Sequence, residues 1–334
     1  MPGVHIPVLE ELEVAFESTR QVTIETPLLE SELLAQRTGA ARVFIKPESL
    51  QRTGSFKFRG AYWRIQQLSD DEKSRGVVAY SSGNFAQGLA AAAQLSGVEA
   101  TIVMPVDAPE AKRRGAEAYG ARIVLSEHGE RPREDVASAM ARALASDEGL
   151  TLLHLFDDPH IVAGQAGAGL EALAQLERIG VAPPEAVLCC VGGGGLIGGV
   201  ALAFHYVAPG TQVFAVEPDG FDGLGRSISS GSLTRAAANT PTICDALQAT
   251  APGETPFAAA QGAGVLGLTV DDDIVRQAMR AAFEDLKLAL EPSGAVALAA
   301  LIKHAARFEN RDVLVYATGG NIALADFFHY VQAA

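Results

Sequence analysis

The sequence is poor in basic residues. Lys and Arg total 26 against 40 Asp and Glu, which gives a formal net charge of −14. A protein that binds the phosphate backbone of nucleic acid needs a concentrated basic stripe, and the sequence offers none. The tightest basic run, residues 112–114, has Glu110 and Glu117 around it in a helix-like stretch. We expect this run, which includes Lys112, to be a solvated helix face.

Cysteine is scarce too, and the spacing of Cys189, Cys190 and Cys244 matches no metal-binding motif. The adjacent pair lies inside the apolar run 186–191, so all three cysteines are expected to be small core residues.

Long apolar runs are missing as well. No apolar window approaches the roughly 20 residues of a membrane span. Glu10, Glu11 and Glu13 stand where a signal peptide would need a basic patch and an unbroken apolar stretch. What is present is the composition of a globular protein, with 48% hydrophobic and 20% charged residues. We therefore expect a cytoplasmic protein that binds neither nucleic acid nor membrane.

From residue 41 onward, short β-branched runs alternate with longer Ala-rich stretches, which predicts parallel sheets built from strand-helix-strand units. Strands are predicted at Arg42–Lys46, Gly76–Tyr80, Ala100–Met104, Arg122–Ser126, Leu152–Leu155, Ala186–Val191, Gln212–Glu217 and Asp312–Ala317. Helices are predicted at Ala61–Leu68, Phe85–Leu95, Pro109–Tyr119, Glu134–Ala145, Ile161–Glu177, Leu196–Val207, Asp272–Leu288 and Ile322–Val331. So many strands suggest two sheets, and without a flexible linker a second domain would be an insertion.

Lys57 lies in a Gly/Ser/Thr loop, residues 51–60, that leads into a helix. A helix N-terminus disfavours a cation, so the pKa of a lysine at that point should be lowered. An amine with a lowered pKa is the nucleophile that Schiff-base formation with a carbonyl cofactor requires. The alternative is an ordinary surface lysine.

A second loop, Ser81 to Gln87, follows a predicted strand and opens an Ala-rich helix. Its backbone N–H groups and hydroxyls would form a cradle for a carboxylate. Asn84 could also hydrogen-bond a cofactor oxygen. Plain N-capping by Ser82 or Asn84 would explain one of these residues but not the cluster.

The third loop contains four consecutive glycines, Gly192–Gly195, between a buried strand and a helix. Glycine lets the backbone approach a phosphate closely while the helix N-terminus supplies donors. Gly193, Gly195 and Gly198 also match the dinucleotide-binding spacing, and Glu217 ends a strand about two dozen residues later. A nicotinamide dehydrogenase is therefore an alternative.

The fourth loop runs from Tyr316 to Asn321, where Thr318 could present a hydroxyl to a buried ring nitrogen. Taken alone, this segment is also compatible with a simple capped turn.

Together these segments resemble fold type II pyridoxal phosphate enzymes, and most closely the threonine/serine dehydratase and serine racemase branch. The resemblance runs from Thr26-Pro-Leu28 to Asn321, in the order Thr53-Gly-Ser-Phe-Lys57-Phe-Arg-Gly-Ala61, Ser81-Ser-Gly-Asn84, Gly192–Gly195, Glu291-Pro-Ser-Gly294 and Thr318-Gly-Gly-Asn321. It implies a tryptophan synthase β-like fold of two open twisted α/β lobes with the cofactor in the cleft between them. The large lobe would contain residues 1–48 and 150–334, and the small inserted lobe residues 49–149.

The resemblance also implies roles for particular residues. Lys57 would form the Schiff base and act as the catalytic base. Ser82 would be a second acid/base group. The expected cofactor-binding set is Phe56, Lys57, Asn84 at the phenolic oxygen, Gly192, Gly193, Gly194, Gly195 and Leu196 at the phosphate, Glu291, and Thr318 at the ring nitrogen. The expected substrate-binding set is Ser81, Ser82, Gly83, Phe85 and Arg133.

Members of this branch also often carry a divalent cation near the strand end that corresponds to Glu217, with Asp222 as a possible second ligand for Mg²⁺ or Ca²⁺. The spacing around Phe221 and Gly223 departs from the family pattern, so a solvated acidic loop is the alternative. Phe85 stands where most dehydratases have histidine, and we expect it to favour an apolar or bulky β-substituent.

The expected function is β-elimination of water from a small β-hydroxy amino acid, giving a keto acid and ammonia, in an enzyme expected to be a homodimer. An amino acid racemase on the same scaffold, a nicotinamide dehydrogenase and a catalytically silent cofactor-binding protein remain alternatives. The dehydrogenase gives no reason for Lys57, Asn84 or Thr318, and a silent binder would not need Lys57.

Overall fold

The strands of the protein form two sheets. The structure is a computed structural model that describes residues 3–131, 133–238 and 240–333. Its strands are β1 (Leu29–Glu30), β2 (Arg42–Pro47), β3 (Val77–Tyr80), β4 (Ala100–Pro105), β5 (Arg122–Ser126), β6 (Thr151–Leu152), β7 (Ala186–Cys190), β8 (Gln212–Pro218), β9 (Leu266–Val270) and β10 (Asp312–Ala317).

Helices connect these strands and cover both sheets. They are α1 (Leu9–Thr19), α2 (Glu32–Thr38), α3 (Lys57–Gln66), α4 (Asp70–Arg75), α5 (Asn84–Ser96), α6 (Glu110–Ala118), α7 (Arg133–Glu148), α8 (Pro159–Arg178), α9 (Gly195–Val207), α10 (Gly223–Ser230), α11 (Glu254–Gly262), α12 (Asp272–Leu286), α13 (Pro292–Lys303) and α14 (Leu324–Gln332).

The larger sheet has the strand order β1-β2-β10-β7-β8-β9 and is parallel except for β1, which pairs antiparallel with β2. The smaller sheet has the order β5-β4-β3-β6 and is parallel throughout. Strands of a parallel sheet are covered by helices on both faces and so are apolar along their length. Strand β7 shows this pattern, because all five of its residues are buried. The predicted two-lobed α/β fold is confirmed.

Helix α3, which begins at Lys57, packs directly against α8, and α8 in turn covers one face of the larger sheet. The two helices approach so closely that a Cβ atom added at Gly164 would lie 2.8 Å from the Cα atom of Gly60. Only glycine at this crossing allows such a distance between the backbones. The N-terminus of α8 is fixed in turn by Asp158, whose carboxylate accepts hydrogen bonds from the N–H groups of His160 and Ile161.

A buried network of charges joins the start of α3 to the larger lobe. The Arg59 guanidinium donates to both oxygens of Glu48 at 2.7 and 2.8 Å, and to both oxygens of Glu171 at 3.1 and 2.8 Å. Lys46 donates to Glu171 at 2.6 Å. None of these side chains is more than 5% exposed. The two cations and two carboxylates balance one another in a buried region.

Several strands differ from the sequence prediction. The strand predicted at Leu152–Leu155 is only Thr151–Leu152, because the chain turns when His154 Nδ1 accepts hydrogen bonds from the N–H groups of Phe156 and Asp157. The short antiparallel β1 and the edge strand β9 were not predicted. Strand β6 belongs to the smaller sheet although it lies just beyond the predicted lobe boundary at residue 149, and that boundary stays a prediction.

Among the described residues, no helix combines the length and the apolar character that crossing a membrane would require.

The charge network predicts a large stability effect for one substitution. Arg59→Ala would leave the Glu48 and Glu171 carboxylates buried without their guanidinium partner, and we expect it to lower the free energy of unfolding by about 3–5 kcal/mol. Arg20→Ala, which removes an exposed pair with Glu17, is the control and should cost less than about 1 kcal/mol. Urea unfolding followed by circular dichroism measures both. Equal effects of the two substitutions would contradict a structural role for the network.

Candidate active site

A cavity of about 140 Å³ lies between the two lobes, at the carboxyl ends of β3, β7 and β10. Parallel sheets bind ligands at this edge because the loops after neighbouring strands meet there. All four loops identified in the sequence reach the cavity. Its lining includes Phe56, Lys57, Ser81, Ser82, Gly83, Asn84, Phe85, Gly192, Gly193, Gly194, Gly195, Leu196, Glu291 and Thr318.

Lys57 is the first residue of α3 and its side chain projects into this cavity. Its Nζ atom lies 4.8 Å from the centre of the Phe56 ring, and no described residue accepts a hydrogen bond from it. Burial lowers the pKa of Lys57 to about 8, although the Cys190 thiol and the Glu291 carboxylate oppose the shift. The lowered pKa expected from the sequence is present, with burial as its main cause.

The backbone holds the Lys57 loop against the loop that follows β10. Ser55 and Gly319 form an isolated antiparallel bridge. The Phe56 N–H group donates to the Thr318 carbonyl at 3.4 Å. These contacts fix the backbone at Lys57 relative to the backbone at Thr318.

The loop of residues 81–84 belongs to the smaller lobe and forms hydrogen bonds to residues of the larger lobe. The Asn84 amide nitrogen donates to the Glu291 carboxylate, and its amide oxygen accepts a hydrogen bond from Asn321 at 2.9 Å. The backbone N–H groups of Asn84 and Phe85 have no acceptor among the described residues and open helix α5. This helix N-terminus therefore has free donors for a carboxylate.

The glycine loop has the properties of a phosphate cradle. Gly194 is the N-cap of α9 with φ of 98°, a conformation that favours glycine. A Cβ atom at Gly193 would lie 2.1 Å from the Phe156 ring, so no side chain fits there. Within the described part of the chain, the N–H groups of Gly193, Gly194 and Gly195 have no hydrogen-bond acceptor. An anion at this helix N-terminus would satisfy them.

Glu291 is buried at the N-cap of α13, between the two lobes. Burial raises its pKa, while Lys112 lowers it in part. The close approach of Gly319 depends on the absence of a side chain, because a Cβ atom there would lie 2.1 Å from the Glu291 carboxylate. The carboxylate thus contacts both the Asn84 loop and the loop after β10.

Thr318 follows directly after β10 and is 3% exposed. Its hydroxyl lies 3.1 Å from the thiol of Cys190, which ends the neighbouring strand β7 and also lines the cavity. The sequence prediction that Cys190 is a plain core residue is therefore incomplete.

Phe85 directly follows the loop of residues 81–84, here called the carboxylate loop, and Arg133 contacts this loop. Phe85 is 2% exposed and packs into the core of the smaller lobe with Phe58 and Leu89, while one part of it reaches the cavity. Arg133 is not part of the cavity lining, but its guanidinium donates to the Ser82 hydroxyl at 3.0 Å.

Lys112 was expected on a solvated helix face, and that prediction is wrong. Its side chain is 6% exposed, lines the cavity, and donates to Asp245 at 2.6 Å. Burial by itself would lower the pKa of Lys112, but the Glu291 and Asp245 carboxylates raise it. The residues flanking the basic run could not reveal this position, because the partner carboxylates come from distant segments.

The site also contains Phe156 and Asp245, which the sequence did not identify as functional. Phe156 covers the glycine loop, and Asp245 holds Lys112 across the cleft between the lobes. The signal available in the sequence was a single charged residue, Asp245, between the apolar residues Cys244 and Ala246.

The two expected metal ligands, Glu217 and Asp222, lie close enough that Asp222 adds to the effect of burial in raising the pKa of Glu217, but each carboxylate bonds other groups of the protein. The Glu217 carboxylate accepts hydrogen bonds at 2.8 Å from the N–H groups of Leu224 and Gly225, at the start of α10. Burial raises the pKa of Glu217 to about 8, although these two hydrogen bonds oppose the shift. Asp222 instead pairs with Arg226. No cluster of three or more His, Cys, Asp or Glu residues suited to a metal ion occurs in residues 3–131, 133–238 and 240–333.

The family model, the related sequences and the solved structures that match this chain all indicate the same family. The model of the family described as pyridoxal-phosphate dependent enzyme matches residues 19–319. Serine racemase of Schizosaccharomyces pombe is 32% identical over 98% of both chains. The L-threo-3-hydroxyaspartate ammonia-lyase of a Pseudomonas species is 39% identical over 90% of this chain and 91% of its own length. The crystal structure of a threonine deaminase from T.th. superposes with a TM-score of 0.87 at 42% identity, covering 95% of this chain and 99% of its own.

These matches confirm the fold type II resemblance and the expected cofactor. They do not support a nicotinamide dehydrogenase. Glu217, the residue that would bind a ribose in that alternative, has both carboxylate oxygens occupied by the start of α10.

The lowered pKa of Lys57 predicts unusual reactivity toward aldehydes. At pH 7 the neutral fraction of an amine with a pKa of about 8 exceeds that of an ordinary lysine, at 10.5, by about 300-fold. Cofactor-free protein is treated with pyridoxal phosphate and cyanoborohydride at a series of pH values. The rate at which Lys57 is labelled should increase as the pH rises to about 8 and then level off. Exposed Lys287 is the internal reference in the peptide map. If Lys57 and Lys287 were labelled in parallel at every pH, the lowered pKa would be ruled out.

Proposed function

The chain belongs to the pyridoxal-phosphate dependent enzyme family, and we propose that it is a lyase that eliminates water from a small β-hydroxy amino acid to give a 2-keto acid and ammonia. The observation that carries the proposal is the convergence of Lys57, the glycine loop, the carboxylate loop and Thr318 on one cavity. Relatives with dehydratase and ammonia-lyase activities support it, including catabolic L-threonine dehydratase of Staphylococcus aureus at 34% identity.

The residues present fit pyridoxal phosphate. When bound, the cofactor supplies an aldehyde that condenses with amines and an electron-withdrawing ring that stabilises negative charge on the substrate α-carbon. The Lys57 amine would hold the aldehyde, and the free N–H groups of Gly193–Gly195 would hold the phosphate. Asn84 would bond the phenolic oxygen, and Thr318 would bond the ring nitrogen.

Three groups of the chain have separate roles in the proposed reaction. The N–H groups at the start of α5 bind the substrate carboxylate, which orients the α-carbon toward Lys57. With a pKa of about 8, Lys57 has a neutral fraction at physiological pH and accepts the α-proton as general base. Thr318 presents a hydroxyl rather than a carboxylate, so it gives the ring nitrogen no full proton. That limits electron withdrawal and favours loss of the β-hydroxyl over transamination.

A racemase is the second candidate, and one observation favours it. Racemisation needs an acid on the face of the substrate opposite Lys57, and Ser82 is the candidate group. The Arg133 guanidinium donates to the Ser82 hydroxyl at 3.0 Å. A cation at that distance stabilises the deprotonated hydroxyl and makes Ser82 a better proton donor. Elimination should still prevail when the substrate carries a β-hydroxyl, because loss of the leaving group competes with reprotonation.

A substrate panel tests the proposal. Serine, threonine, hydroxyaspartate and phenylserine isomers are incubated with the holoenzyme, and keto-acid release is measured beside chiral analysis of the recovered substrate. Lys57→Ala should abolish both readouts. If every substrate is inverted faster than it releases ammonia, the primary activity is racemisation. The preference for bulky substrates inferred from Phe85 and the homodimer remain predictions that the same preparation can test.

Ser82→Ala separates the two activities. We expect it to abolish inversion of the α-carbon while retaining at least about a tenth of the dehydration rate, because Lys57 alone serves elimination. Ser74→Ala, at an exposed serine on α4, is the control for the loss of a hydroxyl. Loss of both activities in Ser82→Ala would instead assign Ser82 to carboxylate binding or to helix capping.

A further inference from the structure

Two adjacent cysteines on β7 have different surroundings. Successive side chains of a strand point to opposite faces of the sheet. Cys189 is fully buried and packs with Val187 and Leu196 on one face. Cys190 lies on the other face and lines the active-site cavity. The pair therefore places one thiol in the core and one beside the cofactor.

The hydroxyl of Thr318 has one described hydrogen-bond partner, the Cys190 thiol at 3.1 Å. Both groups carry one hydrogen, so the contact can be made in two ways. If the thiol donates to the hydroxyl oxygen, the Thr318 hydrogen is free to point into the cavity. If the hydroxyl donates to sulfur, the cavity receives only a lone pair.

We propose that Cys190 is a positioning residue that donates its S–H to Thr318 and thereby turns the Thr318 hydroxyl toward the ring nitrogen of pyridoxal phosphate. The proposal rests on the placement of Thr318 at the ring nitrogen. It does not depend on whether the enzyme is a lyase or a racemase, because both reactions use the same cofactor.

Two arguments select this direction of the hydrogen bond. A hydroxyl is a stronger donor than a thiol, and an unprotonated pyridine nitrogen is a better acceptor than a thiol sulfur. The stronger donor therefore pairs with the stronger acceptor. Burial also raises the pKa of Cys190 to about 11, so the sulfur keeps the hydrogen that this arrangement needs. Contact with Thr318 opposes part of that shift without reversing it.

The test compares the holoenzyme with the variants Cys190→Ala, Cys190→Ser and Cys189→Ala. Cys189→Ala removes the same thiol from the neighbouring position of the same strand and controls for packing. Two properties are measured besides activity, the dissociation constant for pyridoxal phosphate and the absorption maximum of the bound cofactor. A lost weak hydrogen bond corresponds to a roughly 2- to 10-fold weaker affinity.

We expect Cys190→Ala to weaken cofactor affinity by this factor and to shift the absorption maximum. Cys190→Ser, which keeps a donor, should restore both properties toward the wild type, and Cys189→Ala should leave both unchanged. In a Thr318→Ala background, Cys190→Ala should have no further effect, because the proposed action passes through Thr318.

Three results would overturn the proposal. Identical spectra and affinities for Cys190→Ala and Cys189→Ala would make Cys190 a packing residue. A full effect of Cys190→Ala in the Thr318→Ala background would show that it acts without Thr318. A Thr318→Ala variant with the wild-type spectrum and affinity would remove Thr318 from the cofactor. None of these outcomes depends on the substrate panel, so failure of the lyase assignment is distinguished from failure of this inference.

Discussion

The geometry of the active site depends on the buried ion network beneath α3. Arg59 and Lys57 are two residues apart, which places them about 200° from each other around the helix axis. One face of the helix is therefore held by Glu48 and Glu171, and the opposite face presents Lys57 to the cavity. Because unpaired charges in this region would be costly, the network permits little rotation of the helix. The orientation of α3 is thus set by residues that lie outside the cavity lining.

Around the cavity the two lobes contact each other through polar groups, whereas elsewhere α3 packs closely against α8. Asn84 bonds Glu291 and Asn321, and Lys112 bonds Asp245. Contacts of this kind resemble those between domains that move relative to each other, since polar groups can exchange partners with water or ligand. The Lys57 loop is different, because it is joined to the loop after β10 by backbone pairing. The Lys57 loop is thus held by backbone pairing, whereas the loop of residues 81–84 is held by side-chain contacts.

The sequence predicted the features that depend on neighbouring residues and missed those that depend on residues far apart in the sequence. Lys57, the glycine loop and Asn84 were predictable because each belongs to a local pattern, a strand followed by a polar or glycine-rich turn and a helix. Lys112 was not, because its burial depends on Asp245, which lies 133 residues away. The role of Glu217 as a cap for α10 became visible only with the backbone of residues 224 and 225 in place. The short strands β1 and β9 carry too few residues, or too exposed a pattern, for periodicity to reveal them.

Backbone pairing between the Lys57 loop and the loop after β10 has a consequence for biosynthesis. The side-chain amide of Asn321 reinforces this pairing by donating to the backbone carbonyl of Thr53, which lies 268 residues earlier in the sequence. At the usual rate of chain elongation, roughly 13–54 seconds separate the synthesis of these two positions. During that interval the nascent chain carries Lys57 without the loop that fixes it. We therefore expect stable binding of pyridoxal phosphate only after the Asn321 segment has been translated.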